Sequence, residues 1–278
     1  MGNAGSIQLG KKISVGASSE IFLPKDEEKW SNIVIKKVSK KFRDFGKREA
    51  IFLSDIDHPN ILKLIDYYEH RSCVYIVLEK MDDDMFEYME KRDKNLVVGE
   101  IRDFFSQICS AFKYLHETQR IAHRDLKLEN ILISLPNKIL KLCDFGFATE
   151  EKFANERCGS PGYIAPEVLK YEPHFSRPLD IWALGVVLYI FTYRNSPFIL
   201  SPSEDNQDIC NNILKNQPSY KFLTGEETKV PQDLTTLIQS LLTSDPITRP
   251  QIKTVLTSPF LTKSEEDVVV PGLVVSES

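Results

Sequence analysis

Apolar positions fall into two regimes along the chain. From residue 7 to 80 they come in short runs rich in β-branched residues: Ile7–Ile13, Glu20–Leu23, Ile33–Val38, Ile61–Tyr67 and Val74–Glu79. Runs of this length and composition predict strands. One amphipathic stretch, Asp44 to about Asp55, predicts a helix among them. Beyond residue 84 helical spacing takes over. Ile101, Phe104, Phe105, Ile108, Phe112 and Leu115 recur at i, i+3, i+4, i+7, which gathers them on one buried face. Arg177 to Tyr193 is apolar nearly all round and predicts a buried helix, with Ser176 as its cap and Pro178 tolerated in its first turn. Pro231–Leu242 and Gln251–Leu256 predict further helices. The expected fold is α+β and bilobal. A small β-rich lobe with one main helix (about 7–80) precedes a larger, mostly helical lobe (about 81–261). Residues 1–6 form a short N-terminal segment, and residues 262–278, acidic and then Val-rich, read as a tail.

Composition narrows the class. With 42% hydrophobic and 27% charged residues the chain is not a disordered one. A net charge of −5 excludes a general nucleic-acid binder. The five cysteines include no CxxC pair and are odd in number, so they read as reduced cytosolic thiols, not as a zinc site or a disulfide frame. The longest apolar run, Ile181 to Phe191, is too short to span a bilayer, and no signal peptide opens the chain. A cytoplasmic location is expected.

The chemistry concentrates in three motifs. His123-Arg124-Asp125-Leu126-Lys127-Leu128-Glu129-Asn130 fits H-R-D-L-x-x-x-N at every fixed position. Asp144-Phe145-Gly146 begins fourteen residues past Asn130, and Ala165-Pro166-Glu167 follows. On these motifs, in this order, residues 7–261 resemble a eukaryotic serine/threonine protein kinase domain. Leu126–Asn130, Gly159–Glu167 and Asp180-Ile181-Trp182 resemble the calmodulin-kinase/AMP-kinase-like group. The resemblance implies ATP and Mg²⁺ as cofactors and a protein substrate. Phosphoryl transfer explains the residue types, because a group dense in negative charge needs cations, metal-holding oxygens and positioning. Asp144 and Asn130 would hold the metal. Asp125 would accept the proton of the attacking hydroxyl, and Lys127 would neutralise charge on the moving phosphate. Taken singly, each aspartate reads first as a turn or cap residue; taken as a set, they do not.

Further residues follow by register with the family. Ile33-Val34-Ile35-Lys36 resembles V-A-I-K, so Lys36 would hold the α- and β-phosphates, with Glu49 as its counter-charge. The competing lysine, Lys37, falls out of register. Ile13, Gly16, Ile21, Val34, Met85 and Leu132 would line the nucleotide pocket. Glu79 and Met81 would offer hinge backbone groups, with Leu78 as gatekeeper and Cys143 at the border. A second apolar column would run through Leu64, Leu53, Phe145 and His123. The phosphate-covering loop departs from G-x-G-x-x-G. It reads Ser14-Val15-Gly16-Ala17-Ser18-Ser19 and keeps only the middle glycine, so weakened or altered ATP binding is expected. That erosion also defines the rival reading, a pseudokinase scaffold.

Substrate and control can be read in the same way. Lys127 and the Lys-Leu-Glu-Asn ending resemble serine/threonine kinases. Ser160 would bond Asp125 and Lys127, and Phe147 is associated with serine acceptors. Glu129 and Asp84 would favour basic substrates, although Asp82–Asp84 could equally cap the next helix. Arg124 ordinarily needs an anion from the activation segment. Glu156 stands where relatives often carry a phosphoacceptor, which predicts constitutive activity. Glu167 is expected to pair with Arg249. Met1-Gly2-Asn3-Ala4-Gly5-Ser6 fits an N-myristoylation signal at Gly2. Lys36, Lys37, Lys40, Lys41, Arg43, Lys47 and Arg48 form a basic patch that could add peripheral membrane contact.

Overall fold

A computed structural model describes residues 7–170, 173–201, 203–218, 220 and 230–263. The proposed lipidation site Gly2 and tail residues 264–278 lie outside these ranges. The β-branched runs form one antiparallel sheet ordered β1-β2-β3-β5-β4: β1 Leu9–Val15, β2 Ser19–Pro24, β3 Ile33–Val38, β4 Leu64–His70 and β5 Cys73–Glu79. The period of two in β3 explains the lobe. Ile33 and Ile35 face outward onto a small cluster with Ile7 and Val77. Val34 and Val38 turn to the opposite face and join the main core, and Lys36 shares their parity. Helix α1, Arg43–Ser54, covers that face, burying Glu49, Ala50 and Leu53.

Two strand boundaries differ from expectation. Leu64, not Ile61, opens β4. Ile61 is held in a turn by its N–H bond to His58 O and makes a lone parallel bridge to Leu142. The reason is the docking of the preceding turn on the other lobe. Asn60 Nδ2 donates to Leu140 O and to Gln107 Oε1, both at 3.0 Å, and His58 Nε2 lies 3.2 Å from Ser110 Oγ. The first strand starts at Leu9, while Ile7 plugs the outer cluster.

The second lobe opens with β6 Asp83–Asp84 and α2 Met85–Glu90, followed by α3 Val98–Lys113. α3 continues as a wider turn, Tyr114–Gln119, that ends at left-handed Arg120 (φ 64°). β7 Ile131–Ser134 and β8 Ile139–Leu142 complete a three-stranded sheet with β6. β9 Phe153–Ala154 and β10 His174–Phe175 pair across the activation segment, with α4 Pro166–Leu169 between them. α5 Ser176–Tyr193 is buried along almost its whole length. α6 Asn206–Lys215, α7 Gln232–Leu241, α8 Ile252–Leu256 and α9 Pro259–Thr262 complete the described lobe. α5 meets α7 closely at Gly185, where a Cβ would sit 2.8 Å from that of Leu241.

The expected capping role of Ser176 is not met. β10 runs straight into α5, so Ser176 is already the first helical residue and Phe175 takes the cap position. The Ser176 N–H bonds Lys152 O, and its buried hydroxyl has no hydrogen-bond partner among the described residues. Among the described residues no helix is long and apolar enough to cross a membrane. The five cysteines are free thiols.

Candidate active site

The crevice between the lobes is built from both sheets. Lys36 reaches inward from β3 and is almost wholly buried. Its Nζ donates to Glu49 Oε1 and Oε2 at 2.9 and 2.7 Å, and to Asp144 Oδ1 at 3.2 Å. One ammonium therefore ties β3, α1 and the segment after β8. Burial opposes the charge on Lys36, but the Asp144 and Glu49 carboxylates outweigh it and hold its pKa above the ordinary lysine value. Burial pushes Glu49 upward against the pull of Lys36. Asp144 ends below the usual range despite burial, because Lys36 stabilises its anion. Asp144 has φ 66°, a left-handed conformation uncommon for a residue bearing a Cβ, and its Oδ1 also accepts the Gly146 N–H at 3.4 Å.

Asp125 and its neighbours form a second polar group. Asn130, in the short turn Leu128–Asn130, donates its amide to Asp125 O at 2.7 Å and to Asp125 Oδ2 at 3.2 Å. This leaves the Asn130 side-chain oxygen as the acceptor end. Ser160 Oγ donates to Asp125 Oδ1 at 2.9 Å and accepts from Lys127 Nζ at 2.9 Å. Burial raises the Asp125 pKa, and Lys127, His123 and the Ser160 hydroxyl pull it back.

Asp180, in the sequence only part of the Asp180-Ile181-Trp182 signature, holds this loop in place. Fully buried, it accepts Arg124 N–H on Oδ1 at 2.7 Å and His123 N–H on Oδ2 at 2.9 Å. His116 Nε2 lies 2.7 Å from the same Oδ2. The signal was available: an acid inside a helix otherwise apolar all round needs a buried partner. Those bonds hold Arg124 at φ 67°. Its guanidinium donates to Phe147 O at 2.7 Å and to Glu156 Oε2 at 3.0 Å. Phe147 in turn meets Phe45 of α1 edge to face at 5.3 Å. Glu167 and Arg249 are buried together in a two-pronged pair at 2.8 and 3.0 Å.

The proposed nucleotide-pocket side chains come from both lobes. Ile21, Val34, Met81 and Leu132 are half-buried, Met85 is fully buried, and Ile13 is exposed on β1. The Glu79 carboxylate faces elsewhere, accepting from Lys141 Nζ and Lys63 N, and the Glu79 N–H bonds Lys63 O. Burial pushes the Cys143 thiol upward, the environment of an unreactive sulfur. In the second apolar column Leu53, Phe145 and His123 are buried, and the His123 and Phe145 rings meet at 4.8 Å.

The acidic run after the hinge is put to structural use. Asp84 caps α2 by accepting Glu87 N–H at 2.9 Å, Asp83 pairs with Lys91, and Asp82 accepts Leu135 N–H. Glu129 stays exposed beside the Asp125 group. The basic patch is thinner than the sequence suggests. Lys36 is buried, Lys37 pairs with Glu20, and Arg43 and Lys47 share Glu69. The patch loses these residues because strand parity sends Lys36 inward and β4 brings Glu69 alongside α1.

Comparison with known proteins agrees with this geometry. The protein kinase domain family matches residues 7–261. The mitosis inducer protein kinase cdr1 of Schizosaccharomyces pombe is 33% identical over 91% of this chain, and the cell cycle serine/threonine-protein kinase CDC5/MSD2 of Saccharomyces cerevisiae is 37% identical over 86%. The human NUAK family SNF1-like kinase 2 is 36% identical over 75%. The alignments cover 42%, 33% and 32% of those proteins, so the chain spans less than half the length of each. With its motifs assembled in one crevice and its length matched almost throughout, the chain belongs to the eukaryotic serine/threonine protein kinase family and is related to its calmodulin-kinase/AMP-kinase-like members.

Proposed function

We propose that the chain transfers the γ-phosphoryl group of ATP to serine or threonine hydroxyls of a protein substrate. One observation carries the reading: the Lys36 ammonium bridges Glu49 and Asp144 across the crevice, within a few ångströms of each. The donor set suits Mg²⁺–ATP. Asp144 keeps a second carboxylate oxygen beyond the one bonded to Lys36, and the Asn130 oxygen is turned away from Asp125 by its own amide. Among the described residues no cluster of three or more His, Cys, Asp or Glu could hold a metal. Magnesium between one carboxylate, one amide oxygen and phosphate needs no such cluster. ATP supplies the transferable group, and the metal neutralises its charge. Lys36 would hold phosphate oxygens, Asp125 would orient the acceptor hydroxyl and take its proton, and Lys127 would offset charge near the acceptor.

Gly16 supports the same reading. A Cβ there would make only an ordinary 3.6 Å contact with Ser19 O, so the turn itself does not demand glycine. Close approach of phosphate to the backbone does. This, with the intact Lys36, Glu49, Asp125, Asn130 and Asp144, favours an enzyme over a pseudokinase scaffold despite Ser14 and Ser19. Magnesium-dependent transfer from labelled ATP to an array of basic peptides tests the proposal. No transfer to any peptide, with wild-type folding, would leave the scaffold reading.

Ser160 provides a pH test. Asp125 must be ionised to take a proton, and the Ser160 hydroxyl lowers its pKa. In Ser160→Ala that help is lost, so the acid limb of the kcat/KM profile moves to higher pH, with little change from titration well above it. An unmoved limb would mean the bond does not form in the working enzyme.

Glu156 is the proposed constitutive switch. It neutralises Arg124, whose side chain is 2% exposed, but is itself 65% exposed. Its contribution is therefore about 1 kcal/mol, and Glu156→Gln should lower kcat of unphosphorylated protein roughly fivefold. Wild-type protein that is inert until phosphorylated would refute this. Peripheral membrane association rests on Gly2 and on Lys40, Lys41 and Arg48, the patch residues without a carboxylate partner among the described residues.

A further inference from the structure

The described surface also carries a cavity of about 680 Å³ away from the phosphotransfer residues, between the end of α3, the start of α5 and the segment entering α8. Arg120, Lys152, Arg177 and Lys253 all line it, against one acid, Glu117. The whole chain carries a net charge of −5, so this local excess of cations runs against the average. None of the four has a carboxylate within ion-pair distance among the described residues, unlike Lys37, Arg43 and Lys47 of the N-terminal lobe. The fold itself brings two of them together. Arg120 ends the α3 extension in a left-handed conformation, and Arg177 Nη2 donates to Arg120 O at 3.0 Å. Such a convergence of like charges lowers the cost of receiving an anion.

The walls are not polar throughout. Phe175, Ile181, Ile247 and Ile252 line the same cavity, and Ile247 is 79% exposed. Apolar walls under a cationic rim match a segment that alternates carboxylates with apolar side chains. They suit a bare phosphate ion less well, since that would leave the apolar wall wet. We propose that this cavity docks an acidic segment of a protein partner, with an apolar side chain on the wall and carboxylates paired with Arg120, Lys152, Arg177 and Lys253.

The cavity also touches groups that position the catalytic apparatus. His116 lines it and bonds Asp180, the acceptor of the Arg124 and His123 N–H groups. Arg249 lines it and holds Glu167. Lys152 and Phe175 belong to the paired ends of the activation segment, with Lys152 Nζ 5.8 Å from the Phe175 ring centre. An occupant would thus rest on three supports of the site at once, and would bind whether or not the chain transfers phosphate.

Fluorescence anisotropy of the full chain with a labelled peptide of alternating Glu and Leu tests the docking. The double variant Arg120→Asn, Lys253→Ser removes two rim cations and keeps a residue that tolerates the left-handed position. It should weaken binding about tenfold, the loss of two partly desolvated pairs, with an unchanged melting temperature. Lys40→Ser with Lys41→Ser, on the other lobe, should leave binding unchanged, and replacing Glu by Gln or Leu by Ser in the peptide should each weaken it. Equal binding by the cavity variant, or loss in the Lys40/Lys41 variant, would overturn the proposal. Binding that emerges only when Glu265, Glu266 and Asp267 are replaced by serine would overturn it in favour of the chain's own acidic tail. Phosphatidylserine vesicles that bind tighter than the peptide and are lost in the cavity variant would overturn it in favour of a lipid surface.

Discussion

Asp125→Asn should lower phosphate transfer to a peptide by roughly 10²–10⁴-fold, the ordinary worth of a positioned proton acceptor. The geometry lets this loss be separated from collapse of the site. Asp125 Oδ1 accepts the Ser160 hydroxyl at 2.9 Å, and Oδ2 accepts the Asn130 amide at 3.2 Å. The Asn130 bond to Asp125 main-chain oxygen at 2.7 Å survives the substitution. An asparagine keeps the volume and one acceptor but cannot take the proton of the incoming hydroxyl. Lys36, Glu49 and Asp144 are untouched, so ATP affinity and melting temperature should stay near wild type. Steady-state peptide phosphorylation alongside nucleotide titration checks both halves. Activity within threefold of wild type would remove Asp125 from the chemistry. Loss of ATP affinity in step with activity would show that the carboxylate holds the crevice together and does not handle the proton.

The parts of the site that could be read in the sequence are those fixed by local periodicity and short spacing. Strand parity alone places Lys36 on the same face as Val34 and Val38, and a helix beginning near residue 44 can reach over that face with Glu49. The His123–Asn130 run packs its polar groups within eight residues, so the Asn130–Asp125 bonds are local. What escaped depends on contacts between distant segments. Phe45 against Phe147, and His116 and Asp180 beneath Arg124, come from elements whose docking no periodicity specifies. The extent of the basic patch is hidden for the same reason. Lys37, Arg43 and Lys47 look unopposed in the linear order, but Glu20 and Glu69 reach them from neighbouring strands. Ser176 has the place of a cap, just before an apolar run, yet the β9–β10 pairing decides where α5 begins.

Asp180→Asn isolates the most consequential of those long-range contacts. The aspartate uses both oxygens, Oδ1 for Arg124 N–H and Oδ2 for His123 N–H and His116 Nε2. Asparagine has one oxygen, so in either orientation its NH₂ faces a backbone N–H in a fully buried setting. A donor against a donor leaves at least one backbone group unsatisfied where the native pair had a charged acceptor. The cost is about 3 kcal/mol, equivalent to a fall in melting temperature of roughly 6–12 °C for a domain of this size. Activity should fall further than stability alone predicts, because Arg124 sits at φ 67° and relies on that acceptor to hold Asp125 in place. Calorimetry and peptide phosphorylation, both well below the variant's melting transition, separate the two effects. A variant that melts lower but keeps wild-type kcat in its folded fraction would reduce Asp180 to a structural acceptor. One that keeps its melting temperature would show that the loop finds other partners for the Arg124 and His123 N–H groups.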